Sequence, residues 1–473
     1  MVRIRAVAAV LAVLAALMLA AGAEAAAPGS IPVGASWQTN GRVETVVVSG
    51  STAYLGGEFT SVRPAGDPAG TGEVARNHVA ALNLETGALL PWDPNANSTV
   101  QAIAVSGQTV YLGGTFGTVG GKTHARVAAV DATTGAPIQT FKAKTNGEVM
   151  SIAVAANGLY LGGNFTTADK VARNFLAEVD PSTGALVTGF TATASAKVNA
   201  VAFTTDGTRL VVAGNFTSLD GSILQRFIGA VSPSTGALLA WANHPSYTIT
   251  TLAVDANGVY GAGTGNGGNI VAFSPSTGAQ LWIGGVDGND QAITVQDGTV
   301  YVGGHFNNYC GHVFGTNACA VPTARDHLLA LDETTGNILP WHPSANGVLG
   351  VFALAGGDGT LTAGGDFTKI GGVTQQGFAE FPEISLPTLT DSAGGVPTST
   401  TPVTVTASGA TDSAPGFAGY KYETSTDGGT TWSALRTGAV ATVKTVGVTV
   451  VRFEALDAYG NTSGWVQDTV TIT

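Results

Sequence analysis

The sequence predicts an all-β chain in which seven four-stranded units close a ring, followed by a smaller β-domain. The chain has 44% apolar residues and 66 Gly in 473 residues. This composition is too apolar for disorder and too rich in glycine for helical bundles. A motif resembling "VYLGGTFGTV" (residues 110–119) occurs seven times, between an alternating apolar segment and a Thr-Gly turn. Four strands in a unit of this length indicate the blade of a seven-bladed β-propeller.

The first 25 residues have the features of a secretory signal peptide. Arg3 and Arg5 precede an apolar run that ends near Leu19, and an Ala-Glu-Ala triplet ending at Ala25 suits signal peptidase. A membrane anchor is the alternative, but a spanning helix needs about 18 or more apolar residues. We therefore expect residues 1–25 to be removed and the mature protein to be secreted or held at the cell surface, without membrane insertion.

The charge argues against polyanionic partners. The net charge is −12, and no segment carries a cluster of Lys and Arg. Phosphate backbones and anionic lipids both require such a cluster. The composition therefore predicts no nucleic-acid partner, and it disfavours anionic lipid.

The seven copies of the motif begin at residues 53, 110, 159, 210, 259, 300 and 361. Tight turns such as "SGQT" and "DATTG" close the first and third hairpins of each unit. In an antiparallel blade these turns share one face of the ring, which we call the tight-turn face. The longer loops, between strands two and three and between blades, share the opposite face, which we call the long-loop face.

An aromatic residue follows most of the Thr-Gly turns. These residues are Trp92, Phe141, Phe190, Trp241, Trp282 and Trp341. The seventh unit lacks one, but Trp37 is placed to supply it. This predicts that the N-terminal segment forms the outer strand of the last blade and closes a propeller over residues 31–384, without exposed sheet edges.

Two resemblances to known repeats follow from these motifs. "YLGGxFT" with "RNxxAxxxxxTG" resembles the delta-60 repeat of exported bacterial propellers, through residues such as Gly56, Gly57, Phe59 and Arg76. The "AxDxxTGxxxxW" tail resembles the tryptophan-docking repeat of quinoprotein dehydrogenases, which bind pyrroloquinoline quinone and Ca²⁺. The first resemblance implies an exported propeller of undefined role. The second implies that the shared motif serves to pack one blade against the next.

Residues 386–473 change character after a joint rich in Pro, Ser and Gly. Six or seven short alternating segments fit an immunoglobulin-like sandwich, with Trp432 and Phe453 in its core. "STDGGTTW" (425–432) also matches the Asp box of sialidase-type propellers, which we interpret as a structural hairpin. The domain resembles the bacterial Ig-like or fibronectin-like modules of exported proteins.

Positions repeated in every blade predict scaffold, because equivalent residues around an axis do not build one asymmetric site. Arginines before the third strands are expected to bond between blades: Arg76, Arg126, Arg173, Arg226 and Arg325. Function is expected where blades differ. The largest insertions, at 305–327 in blade six and 61–76 in blade one, both lie on the long-loop face.

The two cysteines, Cys310 and Cys319, lie in the blade-six insertion. In an exported chain a disulfide is expected, and the chain-entropy relation gives about 2.7 kcal/mol for a loop of about ten residues. Metal ligation with His305 and His312 is the alternative, but the spacing fits no compact zinc pattern. We predict no metal and no cofactor.

The residue between Gly-Gly and Phe is Glu58, His305 and Asp366 in neighbouring blades one, six and seven. Together with Tyr309 and His312, these are the predicted binding residues. Acid–base or Ca²⁺ chemistry is one alternative for the first three, and solvated strand ends are the other. We predict no catalytic residue.

These observations favour a monomeric, non-enzymatic binding protein that uses the long-loop face, with a glycan or a cell-surface protein as ligand. The second domain would be a spacer or a second contact. An extracellular enzyme acting on a saccharide is the alternative, and a quinoprotein of the pyrroloquinoline quinone type is a weaker one.

Overall fold

The structure is a computed structural model that describes residues 28–34, 36–241, 245–264, 267–311, 319, 322–357, 359–413 and 416–473. The described chain consists of strands, turns and loops, so the predicted all-β class is confirmed. The expected signal peptide lies outside the described residues. None of the described residues forms a helix long and apolar enough to cross a membrane.

Seven antiparallel sheets surround a central axis. The first strands, nearest the axis, are Val43–Ser49, Val100–Ser106, Glu148–Ala155, Val198–Phe203, Thr248–Val254, Asn289–Gln296 and Val351–Gly357. The second strands are Thr52–Gly57, Thr109–Gly114, Gly158–Asn164, Leu210–Gly214, Val259–Thr264, Thr299–His305 and Thr360–Gly365. The third strands are Val79–Asn83, Val127–Asp131, Leu176–Val179, Ile228–Val231, Asn269–Phe273, Leu328–Asp332 and Phe378–Pro382.

The outermost strands are short. Blade one has Ala88–Leu89 and blade five has Gln280–Val286, whereas blades two, three, four and six keep a single antiparallel bridge at this position. Further strands build the long-loop face: Gln38–Thr39, Ser61–Arg63, Val74–Ala75, Thr118–Val119, Lys122–Thr123, Thr167–Ala168, Val171–Ala172, Asn308–Gly311, Thr323–Ala324, Lys369–Ile370 and Val373–Thr374. The predicted separation of tight turns from long loops follows directly from this strand order.

The aromatic residues join each blade to the next. Trp92, at the end of blade one, is 1% exposed and packs edge-on against Tyr54, with ring centroids 5.1 Å apart. Its Nε1 donates a hydrogen bond to the carbonyl oxygen of Asp131 in blade two, at 3.0 Å. Trp282 makes the same bond to Glu333 of blade six, at 2.7 Å. These rings therefore fill the cores between blades, as the sequence predicts, and also fix their orientation.

The N-terminal segment supplies the outer strand of blade seven. The amide of Gly29 donates to the carbonyl of Pro382 at 2.9 Å, and Trp341 Nε1 donates to the carbonyl of Gly29 at 3.0 Å. Trp37 is half-buried in the core cluster that joins blade seven to Val43 of blade one. The ring therefore closes in the predicted way.

The C-terminal residues form two sheets packed face to face. One contains Thr388–Asp391, Val403–Ser408 and Val440–Val443, and the other contains Arg436–Thr437, Phe417–Ser425, Gly447–Asp457 and Val466–Ile472. Phe453 is fully buried between them, as predicted. Trp432 is not in this core, because its ring lies on the outer face, 3.9 Å from the Arg452 guanidinium carbon. The immunoglobulin-like assignment stays a prediction.

The second domain is bonded directly to the closing segment of the ring. The side chain of Asn461 accepts from the Ile31 amide at 2.8 Å and donates to the Ile31 carbonyl at 2.9 Å. Ser413 Oγ accepts from the Glu383 amide and from the Thr360 hydroxyl, both at 3.1 Å. These contacts hold the N-terminal segment against blade seven from outside.

We expect Trp92→Ala to lower the free energy of unfolding by about 3–5 kcal/mol, because it opens a cavity between two blades and removes a hydrogen bond. Trp465→Ala is the control, since this tryptophan is 36% exposed on the second domain. Urea denaturation of both variants checks the expectation. Equal losses would contradict the account of the blade interface.

A second prediction concerns the contact between the domains. Glu380 is 3% exposed, and burial, reinforced by the negative charge of Asp412, raises the pKa of its carboxyl to about 8. Because the folded pKa lies above the unfolded one, the protonated form stabilises the fold. Its contribution is complete below the unfolded pKa of about 4.5 and is lost as the pH rises to about 8.

Glu380→Gln should therefore flatten the fall in thermal stability between about pH 5 and 9, and the variant should be more stable than the natural protein at the alkaline end. Thermal unfolding monitored by circular dichroism across this range measures the effect. Parallel pH profiles for the two proteins would show that Glu380 does not titrate as described.

Candidate functional site

Each first strand carries a β-bulge close to its start. In blade one, Val43 faces Gly57 and Thr45 faces Gly56, so Glu44 is the extra residue. The same shift occurs in all seven blades. The extra residues are Glu44, Gln101, Met150, Asn199, Thr250, Gln291 and Phe352. A bulge redirects a side chain without ending the strand, and here the seven bulged residues, of six different types, line the cavity on the axis.

The repeated Gly-Gly pairs make these bulges possible. A Cβ on Gly57 would clash with the carbonyl oxygen of Arg42, which immediately precedes the bulged strand. A Cβ on Gly56 would instead meet Val100 of the next blade. The corresponding second glycine in each of the other six blades faces the same kind of carbonyl contact. The pairs therefore serve both as bulge positions and as close-packing positions, as the sequence suggested.

The bulged residues line a cavity of about 310 Å³ on the axis, which we call the central cup. First strands begin on the long-loop face, so the bulged residues lie at the end of the cup nearest that face. Below the bulged residues, an aliphatic layer lines its lower part, formed by Val46, Ile103, Ile152, Val201, Leu252, Ile293 and Leu354. The cup is thus polar at its rim and apolar below.

Arg42 organises one side of the rim. It donates to Glu44 Oε1 at 2.6 Å and to Glu58 Oε1 at 2.8 Å. Its guanidinium carbon also lies 4.6 Å from the centre of the Phe352 ring, in blade seven. Burial raises the pKa of Glu44, and the charge of Arg42 opposes this rise. Two carboxylates thus share one guanidinium, which leaves this side of the rim negative.

The structure places the predicted residues Glu58, His305 and Asp366 on the long-loop face but does not bring them together. Glu58 is bonded to Arg42, whereas the exposed His305 ring lies 6.0 Å from the ring of His327. Asp366 accepts the amides of residues 349 and 350 at 2.9 and 2.8 Å, so it holds its own loop. Among the described residues, no hydrogen bond joins any two of the three predicted side chains.

His327 is the buried member of the histidine pair. Its pKa is lowered by burial and, to a smaller extent, by His305. In blade one the equivalent His78 places Nδ1 3.0 Å from the Gly57 carbonyl. The neutral imidazole is therefore the form that the blade-six environment favours.

The structure buries Tyr309, which the sequence analysis predicts as a binding residue. It is 5% exposed, its hydroxyl donates to the Gly336 carbonyl at 3.1 Å, and its strand pairs with the outer strand of blade five. Its role is therefore packing between blades. The predicted disulfide between Cys310 and Cys319 is present, with Cα atoms 4.8 Å apart. His312 lies outside the described residues.

The prediction of five equivalent arginines that bond between blades is also wrong. In three blades the guanidinium donates instead to a carbonyl near the outer edge of its own blade, at 2.9–3.4 Å; the pairs are Arg76 with Leu90, Arg173 with Thr188, and Arg325 with Leu339. In blade four, Gln225 performs this function. Arg126 and Arg226 do not occupy the position that Arg76, Arg173 and Arg325 share. Each lies one residue or more away from it along the sequence.

Sequence reasoning missed the rim of the cup. The signal was present, because the residue after the first strand position varies among the copies: it is Glu44 in "VETVVV", Gln101 in "VQAIAV" and Asn199 in "VNAVAF". In a regular strand this position would be an unremarkable alternating residue. Only the bulge turns this variable position into the lining of a cavity.

The fold and the cup define the class of protein: a seven-bladed β-propeller with an asymmetric cavity at the centre of its long-loop face. Residues 37–284 match the PQQ-repeat family described as outer membrane protein assembly factor BamB, and the chain belongs to that family. No curated protein matches the chain. The delta-60 resemblance stays a prediction.

Three solved structures are similar to this chain over the propeller. The computationally designed Ika8 protein is 16% identical, with a TM-score of 0.45, over 75% of this chain and 99% of that one. The WD40 propeller domain of Doa1 is 12% identical, with a TM-score of 0.46, over 73% and 96%. U3-55K is 11% identical, with a TM-score of 0.49, over 74% and 99%. These similarities concern the fold alone.

Blade six departs from the repeat beside the cup. Just before the bulge, six blades have a fully buried aliphatic residue: Val43, Val100, Val149, Val198, Ile249 and Val351. Blade six has Asp290, which is 0% exposed and whose carboxylate oxygens have no hydrogen-bond partner among the described residues. Burial raises the pKa of Asp290 well above its usual range.

Asp290→Val should raise the free energy of unfolding by about 1–3 kcal/mol, because it removes an uncompensated buried polar group and restores the repeat residue. Asp290→Asn, which keeps the shape and the polarity, should give little of this gain. Chemical denaturation of both variants measures the difference. Destabilisation by valine would mean that the carboxyl group has a required partner.

Proposed function

We propose that the protein is an exported, non-enzymatic binding protein that holds its ligand in the central cup and on the surrounding long-loop face. The observation that carries this proposal is the rim, where equivalent bulges in seven blades present side chains of six different types. A repeat that keeps the same backbone bulge while its inward residue varies builds one asymmetric site on a symmetric body. The ligand is a glycan or a cell-surface protein.

The cup has the character of a small ligand site. Its volume, about 310 Å³, is at the lower end of the range for such sites. Gln101, Asn199 and Gln291 give the rim amide groups, Glu44 gives a carboxylate, and Phe352 gives one aromatic face. A few polar groups above an aliphatic lining can orient one sugar ring or one inserted side chain.

The arrangement favours binding over hydrolysis of a saccharide. Glycoside hydrolysis uses two carboxyl groups that flank the scissile bond. Among the residues that line the cup, Glu44 is the one carboxylate, and its Oε1 is bound to Arg42. Asp366 is bonded to its own loop. The alternative of a saccharide-cleaving enzyme therefore lacks its second acid at this site.

The quinoprotein alternative also fits poorly. Pyrroloquinoline quinone carries three carboxylates, whereas the residues that line the cup include a carboxylate and no cationic side chain. Arg42, at the rim, is already engaged by two glutamates. The family description, an assembly factor, is likewise compatible with a role in binding.

A pull-down with glycans, cell-wall material and surface-protein extracts tests the proposal. Gln101→Ala and Phe352→Ala should each weaken capture about tenfold, which corresponds to about 1.4 kcal/mol of lost contacts. Gln108→Ala is the matched control, because Gln108 lies in the exposed turn at the opposite end of the same hairpin. It should bind like the natural protein.

Two results would contradict this assignment. Unchanged capture by the rim variants, with loss on deletion of residues 307–324, would move the site to the blade-six insertion. Turnover of a polysaccharide panel that Glu58→Ala or Asp366→Ala abolishes would establish the enzyme instead.

A further inference from the structure

The cations of the propeller are confined almost entirely to one face, whereas its acids lie on both faces. Among the described propeller residues, every Lys and Arg except Arg209 lies on the long-loop side. The tight-turn face instead carries a series of acids: Glu85, Asp131, Asp180, Asp206, Asp255, Asp297, Asp332 and Glu333. The overall charge of −12 therefore conceals a long-loop face that is much less acidic than the molecule as a whole.

Within the long-loop face, cations concentrate on blades two to four. We call this set the basic patch; it consists of Lys122, Lys142, Lys144, Lys170, Lys197 and Arg226. All but the half-buried Lys197 are exposed. Lys144 pairs with Asp169 at 3.2 Å, and among the described residues no ion pair engages the other members.

Aliphatic side chains protrude from the same blades. Ile223 and Leu224 in the long loop of blade four are 74% and 65% exposed, and Val171 at the neighbouring hairpin of blade three is 43% exposed. We call these three residues the aliphatic tips. Exposure of adjacent bulky aliphatic side chains to water at a loop apex is unfavourable, and a partner that covers them removes this cost.

The tips are held in place by their loops. The amide of Asp220 donates to the Thr193 carbonyl at 2.7 Å, and the Gln225 side chain bonds to Leu239 at 2.6 Å, on either side of the blade-four apex. At the blade-three apex, the amide of Asp169 donates to the carbonyl of Lys144 at 2.9 Å. The exposure is therefore a property of ordered loops.

We propose that the basic patch and the aliphatic tips bind the surface of an anionic lipid bilayer. Lysine ammonium groups would meet the lipid phosphates while the tips enter the interface between headgroups and acyl chains. Lysine is depleted at protein interfaces, where arginine is enriched, and five of the eight cations on this face of blades two to four are lysines. Protruding tips also suit a soft, flat partner better than a groove in a protein.

This inference revises the expectation drawn from net charge, which disfavoured anionic lipid for the chain as a whole. The proposed binding is attachment to the membrane surface, without insertion of a membrane-spanning segment. It also goes beyond the proposed function, because it uses blades two to four rather than the cup. An acidic protein would be a different partner for the same charges, and the experiment separates the two.

Flotation with phosphatidylcholine vesicles, with and without phosphatidylglycerol, tests the proposal on the mature chain. The protein should float only with the anionic vesicles, and added salt should weaken this binding. Ile223→Ser with Leu224→Ser should weaken binding at least about tenfold. Lys142→Gln and Lys170→Gln should each cost about fivefold.

Two control variants change residues outside the basic patch and the aliphatic tips. Val348→Ser with Leu349→Ser removes exposed aliphatic residues, 82% and 42% exposed, from the blade six–seven side of the same face. Arg209→Gln removes a cation from the opposite face. Both variants should float like the natural protein, and so should Gln101→Ala, so that a failure of this proposal is distinguishable from a failure of the cup.

Absence of flotation, equal flotation on neutral vesicles, or unchanged flotation of the tip variant would overturn the proposal. Binding to a polyglutamate column that survives loss of the tips, without binding to vesicles, would assign the patch to an acidic protein. If the tip variant fails to fold by circular dichroism, the lysine variants still decide the outcome.

Discussion

The structure depends on the close approach of two backbones at one glycine near the end of each second strand, which is the second residue of the Gly-Gly or Ala-Gly pair. The second glycine, present in all seven blades, lies against a backbone carbonyl at the start of the first strand or just before it, where no Cβ fits. The first position is glycine in five blades, where it lies against the next blade, and alanine in blades four and five. This approach permits a bulge in the first strand, and the bulge sends one side chain to the axis. A single local constraint, repeated seven times, therefore sets both the packing between blades and the shape of the cavity.

The remaining features of the propeller hold this arrangement together. Tryptophan side chains bridge from the end of one blade to a turn of the next, and the N-terminal segment completes the last sheet. The second domain bonds to that closing segment through Asn461, so the two ends of the chain support the same joint. It acts as a fixed part of the closure and is more than a spacer on a flexible linker.

The sequence was sufficient for what depends on periodicity. Blade number, the order of turns and loops, the contribution of the N-terminal segment and the disulfide follow from spacing and from residue type. It was insufficient where a side chain's direction depends on a bulge or on a strand pairing far along the chain. Tyr309 lies in a conspicuous insertion, yet pairing with blade five buries it. Arg126 and Arg76 occupy similar places in the sequence and different places in the blade.

The most direct test of this account is the thermal unfolding of Gly114→Ala beside Gly117→Ala. A Cβ at Gly114 would clash with the Thr99 carbonyl, whereas a Cβ at Gly117 has only the Asn97 amide, 4.0 Å away. We expect Gly114→Ala to lower the unfolding temperature by about 5 °C or more and Gly117→Ala to leave it nearly unchanged. Equal effects of the two substitutions would contradict it.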